Sequence, residues 1–317
     1  SNGERVYTAT YTMQSSDNTG VIPFTVDFSD MANNAGTQVT AVANDSDGGV
    51  TFDKQAPSFT TVTMSSNNST STLAIVNDVI TLNLTSDEAI KTGSDPTITV
   101  NGNTATVTRN STTSFTATYT MSSPADDAID GSSIPINISS YTDATGNTGT
   151  TVTATTDGSA VTYDKTLPTL GTVTIASDNT YDHLATIGDV ITLTIVSSED
   201  INTPTVSMLG TTTGVTVTQG ADASNWTAAK QIYGGMSDGT AVFNITFADI
   251  AGNNGLAVTS LTGGDDAVTV DKTIPTITTA SIASNNSSGD ELAVPGNIIT
   301  LTIVANEDIV EPTVSIA

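Results

Sequence analysis

The sequence predicts an all-β chain of antiparallel β-sandwich domains in tandem, and three observations carry that prediction. One stretch of text recurs at a period of roughly a hundred residues, as in an array of repeated domains. Thr, Ser, Val, Ile, Asn and Asp dominate the composition, and these residues favour strands and turns. Short alternating segments are separated by turn signals every 8–12 residues, which is typical of a sandwich.

The repeat is anchored on three aspartates, Asp53, Asp164 and Asp271, each followed by Lys and, four residues on, by Pro. The steps between them are 111 and 107 residues, and four further markers keep the same order and nearly the same spacing. A unit of this length buries one ordinary core. We therefore predict complete repeats over 53–163 and 164–270.

The remaining segments match parts of that unit. Residues 1–52 match its second half, because Tyr7–Met13 reads as Phe115–Met121 does, and residues 271–317 match its first half. We expect the natural protein to continue on both sides. A variant of this idea is that the half-domains of one molecule are completed by the next molecule.

Within the reference unit the elements follow in order. We predict strands over 172–176, 190–196, 204–208, 214–219, 226–232, 241–247 and 267–270. Ile191, Leu193 and Ile195 alternate with polar residues and are expected to face the core. The single tryptophan, Trp226, occupies the position of Tyr7 and Phe115, so a core aromatic is favoured over a sugar-stacking side chain.

These residues also resemble a family, the bacterial immunoglobulin-like repeats of large extracellular adhesins and surface fibre proteins. The resemblance rests on the Asp-Lys-Thr-x-Pro-Thr linker (Asp164 to Thr169), the Gly-Asp-Val-Ile-Thr-Leu strand (Gly188 to Leu193) and the Asp-x-Ala-Gly-Asn turn (Asp249 to Asn253). It implies tandem immunoglobulin-like sandwiches in an extended array. Such repeats serve as spacers, ligand binders and filament subunits alike, so the fold alone does not choose a function.

Charge and composition exclude several partners. The formal net charge is −26, with only 7 Lys and Arg, so there is no basic patch to neutralise nucleic-acid phosphates or an anionic membrane. No apolar run reaches membrane length, so we expect no direct membrane insertion in this segment. An acidic surface of this size indicates bound Ca²⁺, a cation-rich medium or solubility alone.

We predict that the chain is not an enzyme. His183 is the only histidine and there is no cysteine, which leaves almost nothing from which to build a Ser–His triad or a zinc site. A pair of glycosidase carboxylates would need an aromatic-lined cleft, and aromatics make up 5% of the chain.

Calcium is the one chemical hypothesis, and the expected topology supports it. The linker, the loop after the second strand and the turn before the last strand should meet at one pole of the sandwich, where their oxygens could ligate Ca²⁺. The candidate ligands are Asp53, Asp87, Glu88, Asp143 and Asn147 in one repeat, Asp164, Glu199, Asp200, Asp249 and Asn253 in the next, and Asp271, Glu307 and Asp308 in the last, partial one. Alternatively, these Asp and Asn side chains only cap their own turns.

The expected function is a structural or adhesive segment of a long extracellular bacterial surface protein, stiffened by Ca²⁺ and able to form a fibre, filament or sheath. Its partners would be further repeats of the same chain or neighbouring copies. The alternative is an adhesin module that recognises a surface glycan or protein through repeat-specific loops such as 180–187 and 210–226. Accessory repeats on a secreted enzyme remain a third hypothesis.

Overall fold

The computed structural model describes residues 5–42, 49–123, 125–263 and 267–316. The chain divides into two compact units, Ser1–Leu167 with Ala251–Asn253, and Pro168–Ile250 with Asn254–Ala317. The described residues are all-β, with one 3-10 turn over Asp127–Ile129 and no α-helix, which confirms the predicted fold class.

The first unit holds twelve strands among its described residues. They are β1 (Gly20–Val21), β2 (Thr51–Phe52), β3 (Phe59–Ser66), β4 (Leu73–Ala74), β5 (Val79–Ser86), β6 (Thr97–Val100), β7 (Asn103–Thr104), β8 (Thr106–Arg109), β9 (Ser114–Thr120), β10 (Ser132–Ser133), β11 (Ile136–Ser139) and β12 (Thr162–Tyr163).

The second unit continues with eleven more. They are β13 (Leu170–Ser177), β14 (Leu184–Ala185), β15 (Val190–Ser197), β16 (Thr205–Met208), β17 (Val215–Gln219), β18 (Asn225–Gln231), β19 (Gly239–Thr240), β20 (Phe243–Thr246), β21 (Thr269–Val270), β22 (Ile277–Ser284) and β23 (Ile299–Ala305).

The complete repeat of the first unit is a sandwich of antiparallel sheets. One sheet has the order β3-β5-β9-β8 and the other β11-β6-β7, while β10, β12 and β4 form a small third sheet in which β12 and β4 run parallel. Alternate residues of β5 and β9, such as Leu82, Leu84 and Phe115, are fully buried in one core. This is the period of two that a half-buried strand requires.

The second unit repeats the arrangement. The order β13-β15-β18-β17 matches the first large sheet, β16 pairs with β20, and β14-β21-β19 matches the small sheet with its parallel pair. The predicted core positions Ile191, Leu193 and Ile195 are all fully buried, as the alternation predicted. Trp226 is also buried and donates its indole N–H to the Ala223 oxygen at 2.8 Å, so it is a core residue and not a sugar platform.

The half-domains form fewer strands than the matching parts of the complete repeats, and residues 7–13 and 312–316 lie in no strand. Among residues 5–42, 49–52 and 271–316 no side chain is buried. β1 pairs with β2, and β22 pairs with β23 through the same register shift that β3 and β13 show near their first residues. The strands of a half-domain therefore pair in the same register as in a complete repeat, although the half-domain has no buried core.

Candidate metal site

Three carboxylates of the first unit converge. Oxygens of Asp53, Glu88 and Asp143 all lie within 4.8 Å of one another. Asp53 directly follows β2, Glu88 lies two residues after β5, and Asp143 begins the hairpin turn after β11. The predicted meeting of linker, second-strand loop and late turn is therefore present in this repeat.

Asp143 is fixed by its own turn. Its Oδ1 accepts hydrogen bonds from the backbone N–H groups of Thr145 (2.9 Å), Gly146 (2.6 Å) and Asn147 (2.9 Å), and its Oδ2 accepts one from Asn147 Nδ2 (2.8 Å). Such an Asx turn is the usual role of Asp in a tight loop. The Asp143 carboxylate therefore caps its own turn and also belongs to the cluster of three carboxylates, so the two interpretations are compatible.

The other two carboxylates are held differently. Asp53 Oδ1 accepts the Gln55 N–H at 3.0 Å, and the Asp53 backbone oxygen accepts Asn147 Nδ2 at 3.3 Å. The Glu88 backbone is anchored because Ser86 Oγ donates to its oxygen at 2.5 Å. Its side-chain Oε1, however, is buried without a hydrogen-bond partner among the described residues. Buried polar oxygens are nearly always paired, so this one needs an explanation.

The pKa values reflect the crowding. Burial, and then the charges of Asp53, Asp143 and Asp87, raise the pKa of Glu88 above its ordinary value. Burial also acts to raise the pKa of Asp143, but the hydrogen bonds led by Asn147 outweigh it and hold that pKa below the ordinary range. The raised pKa of Glu88 therefore reflects both its burial and the negative charge of the carboxylates around it.

The donor set suits a hard cation. Two ligands on opposite sides of Ca²⁺ lie about 4.6–5.2 Å apart, because each sits about 2.3–2.6 Å from the ion. The three carboxylate oxygens lie within 4.8 Å of one another, which is close enough for all of them to reach one ion. All three groups offer oxygen, which Ca²⁺ prefers, and a bound cation would give Glu88 Oε1 the partner that it lacks.

The structure does not bring every candidate together. Asp87 is exposed and turns away to Ser58, whose N–H and Oγ it accepts, both at 2.8 Å, and the Ser58 N–H lowers the pKa of Asp87. Asn147 contributes through the hydrogen bonds given above. Asp87 thus ties the loop after β5 to the start of β3.

The second set of candidates falls on both units. Asp164 belongs to the first unit, and so does Asn253, whose Nδ2 donates to the Asp164 backbone oxygen at 3.1 Å. In the second unit Asp249 is buried and bridges Ile201, Glu199 is half-buried, and Asp200 is exposed.

The last set lies in the partial repeat. Asp271 is exposed and caps the following turn by accepting the Thr273 N–H at 2.9 Å, and Asp308 is exposed. Glu307 is half-buried, and its Oε1 is buried without a partner among the described residues, as Glu88 Oε1 is. The two glutamates occupy the same place in the repeat.

Two buried polar side chains were not expected from the sequence. Lys230 is 1% exposed in β18, where its Nζ donates to the Thr213 oxygen at 2.8 Å and burial lowers its pKa. Asp126 is fully buried and accepts hydrogen bonds from Asn101, Tyr119 and Ser122. Side chains alternate between the two faces of β18, so Lys230 lies on the same buried face as Trp226 and Ala228. The sequence pattern of this strand could therefore have predicted the burial of Lys230.

Comparisons with known proteins add little. No protein-family model matches the sequence, and no curated protein matches it. Among solved structures, a marsupial T cell receptor is similar over 70% of this chain and 85% of its own, with 10% identity and a TM-score of 0.34. The strand order of the two complete repeats supports the immunoglobulin-like fold class. No helix among the described residues is long and apolar enough to cross a bilayer.

Proposed function

We propose that this chain is a non-enzymatic segment of a bacterial surface fibre or adhesin, in which immunoglobulin-like repeats form an extracellular array and Ca²⁺ stiffens the linkers between them. The observation that carries the proposal is Glu88, whose buried Oε1 lacks a partner beside Asp53 and Asp143. Asp53 belongs to the linker that enters the repeat, so a cation held there would fix the linker to the body of the domain.

The physical reason for stiffening is the removal of repulsion. Three carboxylates within 4.8 Å repel one another and favour separation, and after burial the charges of Asp53 and Asp143 contribute to the raised pKa of Glu88. A bound Ca²⁺ converts the repulsion into shared ligation. Because the ligands come from the linker, the loop after β5 and the hairpin after β11, binding opposes any motion that moves these elements apart.

Calorimetric titration of the whole chain with Ca²⁺ tests the proposal. Glu88→Gln keeps the size of the side chain and removes its charge, so we expect the number of bound calcium ions per chain to fall by one. The matched control is Asp87→Asn, which removes the neighbouring charge but leaves the cluster intact, and we expect its stoichiometry to equal that of the wild type.

An unchanged calcium stoichiometry would contradict the proposal. If wild type and Glu88→Gln bind the same number of ions, the cluster is not a calcium site. In that case Asp143 would serve only to cap its own turn, and stiffness would have to come from packing.

A further inference from the structure

The two complete repeats differ beside their small third sheets. In the first repeat the connection between β9 and β10 is four residues longer than the connection between β18 and β19 in the second. The longer connection carries Asp126, whose side chain is fully buried. The shorter one contributes residues 235–238 to the wall of an open cavity of about 380 Å³. The second repeat therefore has a cavity on the side where the first has a buried carboxylate.

The cavity lies where the first repeat places the Asp126 carboxylate. Asp126 Oδ1 accepts the side-chain N–H groups of Asn101 at 2.9 Å and Asn103 at 3.3 Å. Since β6 and β16 are equivalent strands, Leu209 and Thr211 occupy the positions of these two asparagines. Leu209 and Thr211 both line the cavity. The residues that surround Asp126 in one repeat thus correspond to residues that surround the cavity in the other.

A buried ammonium group lies at this place in the second repeat. Tyr119 donates its hydroxyl to Asp126 Oδ2 at 3.0 Å, and the strand register puts Lys230 at the position of Tyr119. Lys230 is 1% exposed and donates to the Thr213 oxygen at 2.8 Å. It takes part in none of the ion pairs among the described residues. A buried charge without a counter-ion costs free energy, so an anion beside Lys230 would be stabilising.

The ammonium is held next to the cavity wall. The Thr213 N–H donates to Thr211 Oγ1 at 3.0 Å, so the acceptor of Lys230 and the cavity-lining Thr211 belong to one turn. In the first repeat the side chain at the same strand position reaches a carboxylate. A carboxylate that entered the cavity and took the place of Asp126 would therefore lie within reach of Lys230 Nζ.

The backbone at Leu209 is strained in a way that the first repeat avoids. Leu209 has a φ of 53° and Asn101 a φ of 48°, both in the left-handed region. Asn tolerates this region because its short polar side chain can bond locally, whereas Leu cannot. Residues held against their preference cluster at ligand sites. Here the result is an apolar wall in place of the amide that holds Asp126.

The rest of the lining suits a sugar ring, which presents hydroxyl groups at its edge and C–H groups on its faces. Hydroxyl and apolar side chains share the wall, namely Thr211, Ser237 and Thr240, and Leu209, Met236 and Val242. Small-molecule sites of about 300–1,000 Å³ combine apolar walls with a few polar groups in this manner. The cavity fits one sugar unit better than an extended peptide, which binds along a sheet edge or a long groove.

Asp238 also lines the cavity, but its carboxylate is already engaged. Its Oδ1 accepts the Lys272 N–H at 3.3 Å and pairs with Lys272 Nζ at 3.3 Å, and its Oδ2 accepts Thr273 Oγ1 at 3.4 Å. Asp130 accepts equivalent bonds from its own linker in the first repeat. Asp238 thus fastens the linker, and Lys272 offsets its charge.

We propose that the second repeat binds a sugar unit that carries a carboxylate, such as a uronic acid, with the carboxylate beside Lys230 in the place that Asp126 fills in the first repeat. The inference goes beyond the proposed calcium-stiffened array and does not depend on its metal site. The first repeat supplies this carboxylate itself and has no need of the ligand.

Calorimetric titration of the whole chain with glucuronic acid tests the inference. We expect a dissociation constant on the order of 1 mM, as for other ligands of this size. Glucose has the same ring without the carboxylate and should bind at least about tenfold more weakly. The titrations are run at about 0.15 M salt, because the net charge of −26 repels anions until charges beyond about 8 Å are screened.

The first variant removes the ammonium. Lys230→Met should weaken the binding of glucuronic acid by at least about tenfold, because a charge-assisted hydrogen bond is lost. Its unfolding temperature should rise, since a buried charge is removed, so the loss of binding would not reflect misfolding. The matched control is Lys91→Met, which removes an exposed lysine of the first repeat and should bind as the wild type does.

The second variant leaves Lys230 in place. Val242 is 61% exposed, so replacing it does not disturb the core. Val242→Glu puts a carboxylate on the cavity wall that competes for Lys230 and repels the ligand, and we expect at least about tenfold weaker binding. Val242→Gln has the same size without the charge and should lose much less.

Several results would overturn the inference. They are no binding of glucuronic acid at about 10 mM, equal affinity for glucose, or unchanged affinity in Lys230→Met. A short peptide with a central glutamate that binds more tightly than glucuronic acid would contradict a sugar as the source of the carboxylate. Glu88→Gln should bind glucuronic acid as the wild type does, so this inference and the calcium proposal can fail separately.

Discussion

The complete repeat 53–163 and the half-domain 1–52 share a nearly identical seven-residue segment, 115–121 and 7–13, whose side chains differ in exposure to solvent. Phe115 lies in the core and Tyr7 lies in solvent, although six of the seven residues in their segments are identical. The hairpin turns, in contrast, are alike, since Asp143 and Asp30 both accept N–H groups of their own loops. Local hydrogen bonds thus follow from local sequence, whereas burial requires the other sheet.

The largest expected difference concerns these two aromatics. Phe115→Ala removes a ring that contacts Phe59 edge-on at 6.3 Å between centroids, and such core truncations cost about 3–5 kcal/mol of unfolding free energy. Tyr7→Ala in the unassociated chain should change it by less than about 0.5 kcal/mol, as exposed substitutions do. Denaturant unfolding of the two variants at low concentration checks this. Equal losses would mean that Tyr7 is already packed.

The second difference concerns a glycine that faces an aromatic ring. A Cβ on Gly149 would lie 1.9 Å from the Tyr141 ring, whose hydroxyl is fixed to the Thr150 oxygen at 2.7 Å, so the buried ring cannot move aside. Gly149→Ala should cost about 1–3 kcal/mol through overpacking.

Gly36 provides the matched control. A Cβ there would meet Phe28 at 2.2 Å, but that ring is 54% exposed and free to rotate away. Gly36→Ala should therefore be nearly neutral in thermal unfolding of the dilute chain. A large loss at Gly36 would show that the half-domain is as rigid as the complete one.

The third difference concerns acid dependence at Glu88. Its folded pKa is raised, so without metal its ionised form costs stability above that pKa, and acidification through that pKa relieves the cost. Ca²⁺ needs the ionised form, so calcium affinity should fall as the pH drops through the raised pKa of Glu88, above the range of an ordinary glutamate. Titrations at several pH values measure this. Asp143 acts in the opposite sense, since its lowered pKa contributes stability that is lost only at lower pH.

Glu307 is the control within the partial repeat. It has no counterpart of Asp143 in its own half, so Glu307→Gln should leave calcium binding by the dilute chain unchanged. A loss of one bound ion on this substitution would show that the carboxylates of one half suffice.

The smallest expected effect compares the two complete repeats. Tyr119 and Lys230 occupy the same strand position, but Tyr119 donates to the Asp126 carboxylate whereas Lys230 donates to the backbone oxygen of Thr213. Lys230→Met removes a desolvated ammonium and should raise the stability of the second unit by about 1 kcal/mol. Thermal unfolding followed by the fluorescence of Trp226, the only tryptophan of the chain, checks the sign. A loss instead would mean that the hydrogen bond outweighs the burial cost.

Much of this could be predicted from the sequence, for identifiable reasons. The alternation in Val190–Val196 placed Ile191, Leu193 and Ile195 in the core, and the repeated markers placed Asp53, Glu88 and Asp143 in loops that meet. The sequence could not show which of the neighbours Asp87 and Glu88 joins the carboxylate cluster. Adjacent side chains point in different directions, and only the folded backbone directs Glu88 to the linker and Asp87 to Ser58, from which it accepts a hydrogen bond. Nor could it find Asp126, whose partners Asn101 and Tyr119 are brought together only by the folded sheets.

Hydrogen exchange on the whole chain tests most directly the claim that a repeat has a buried core only where both of its halves are present. We expect slow exchange for β5 and β9 and fast exchange for residues 5–13 and 299–305. Protection of residues 5–13 or 299–305 equal to that of β9 and β5 would contradict the account.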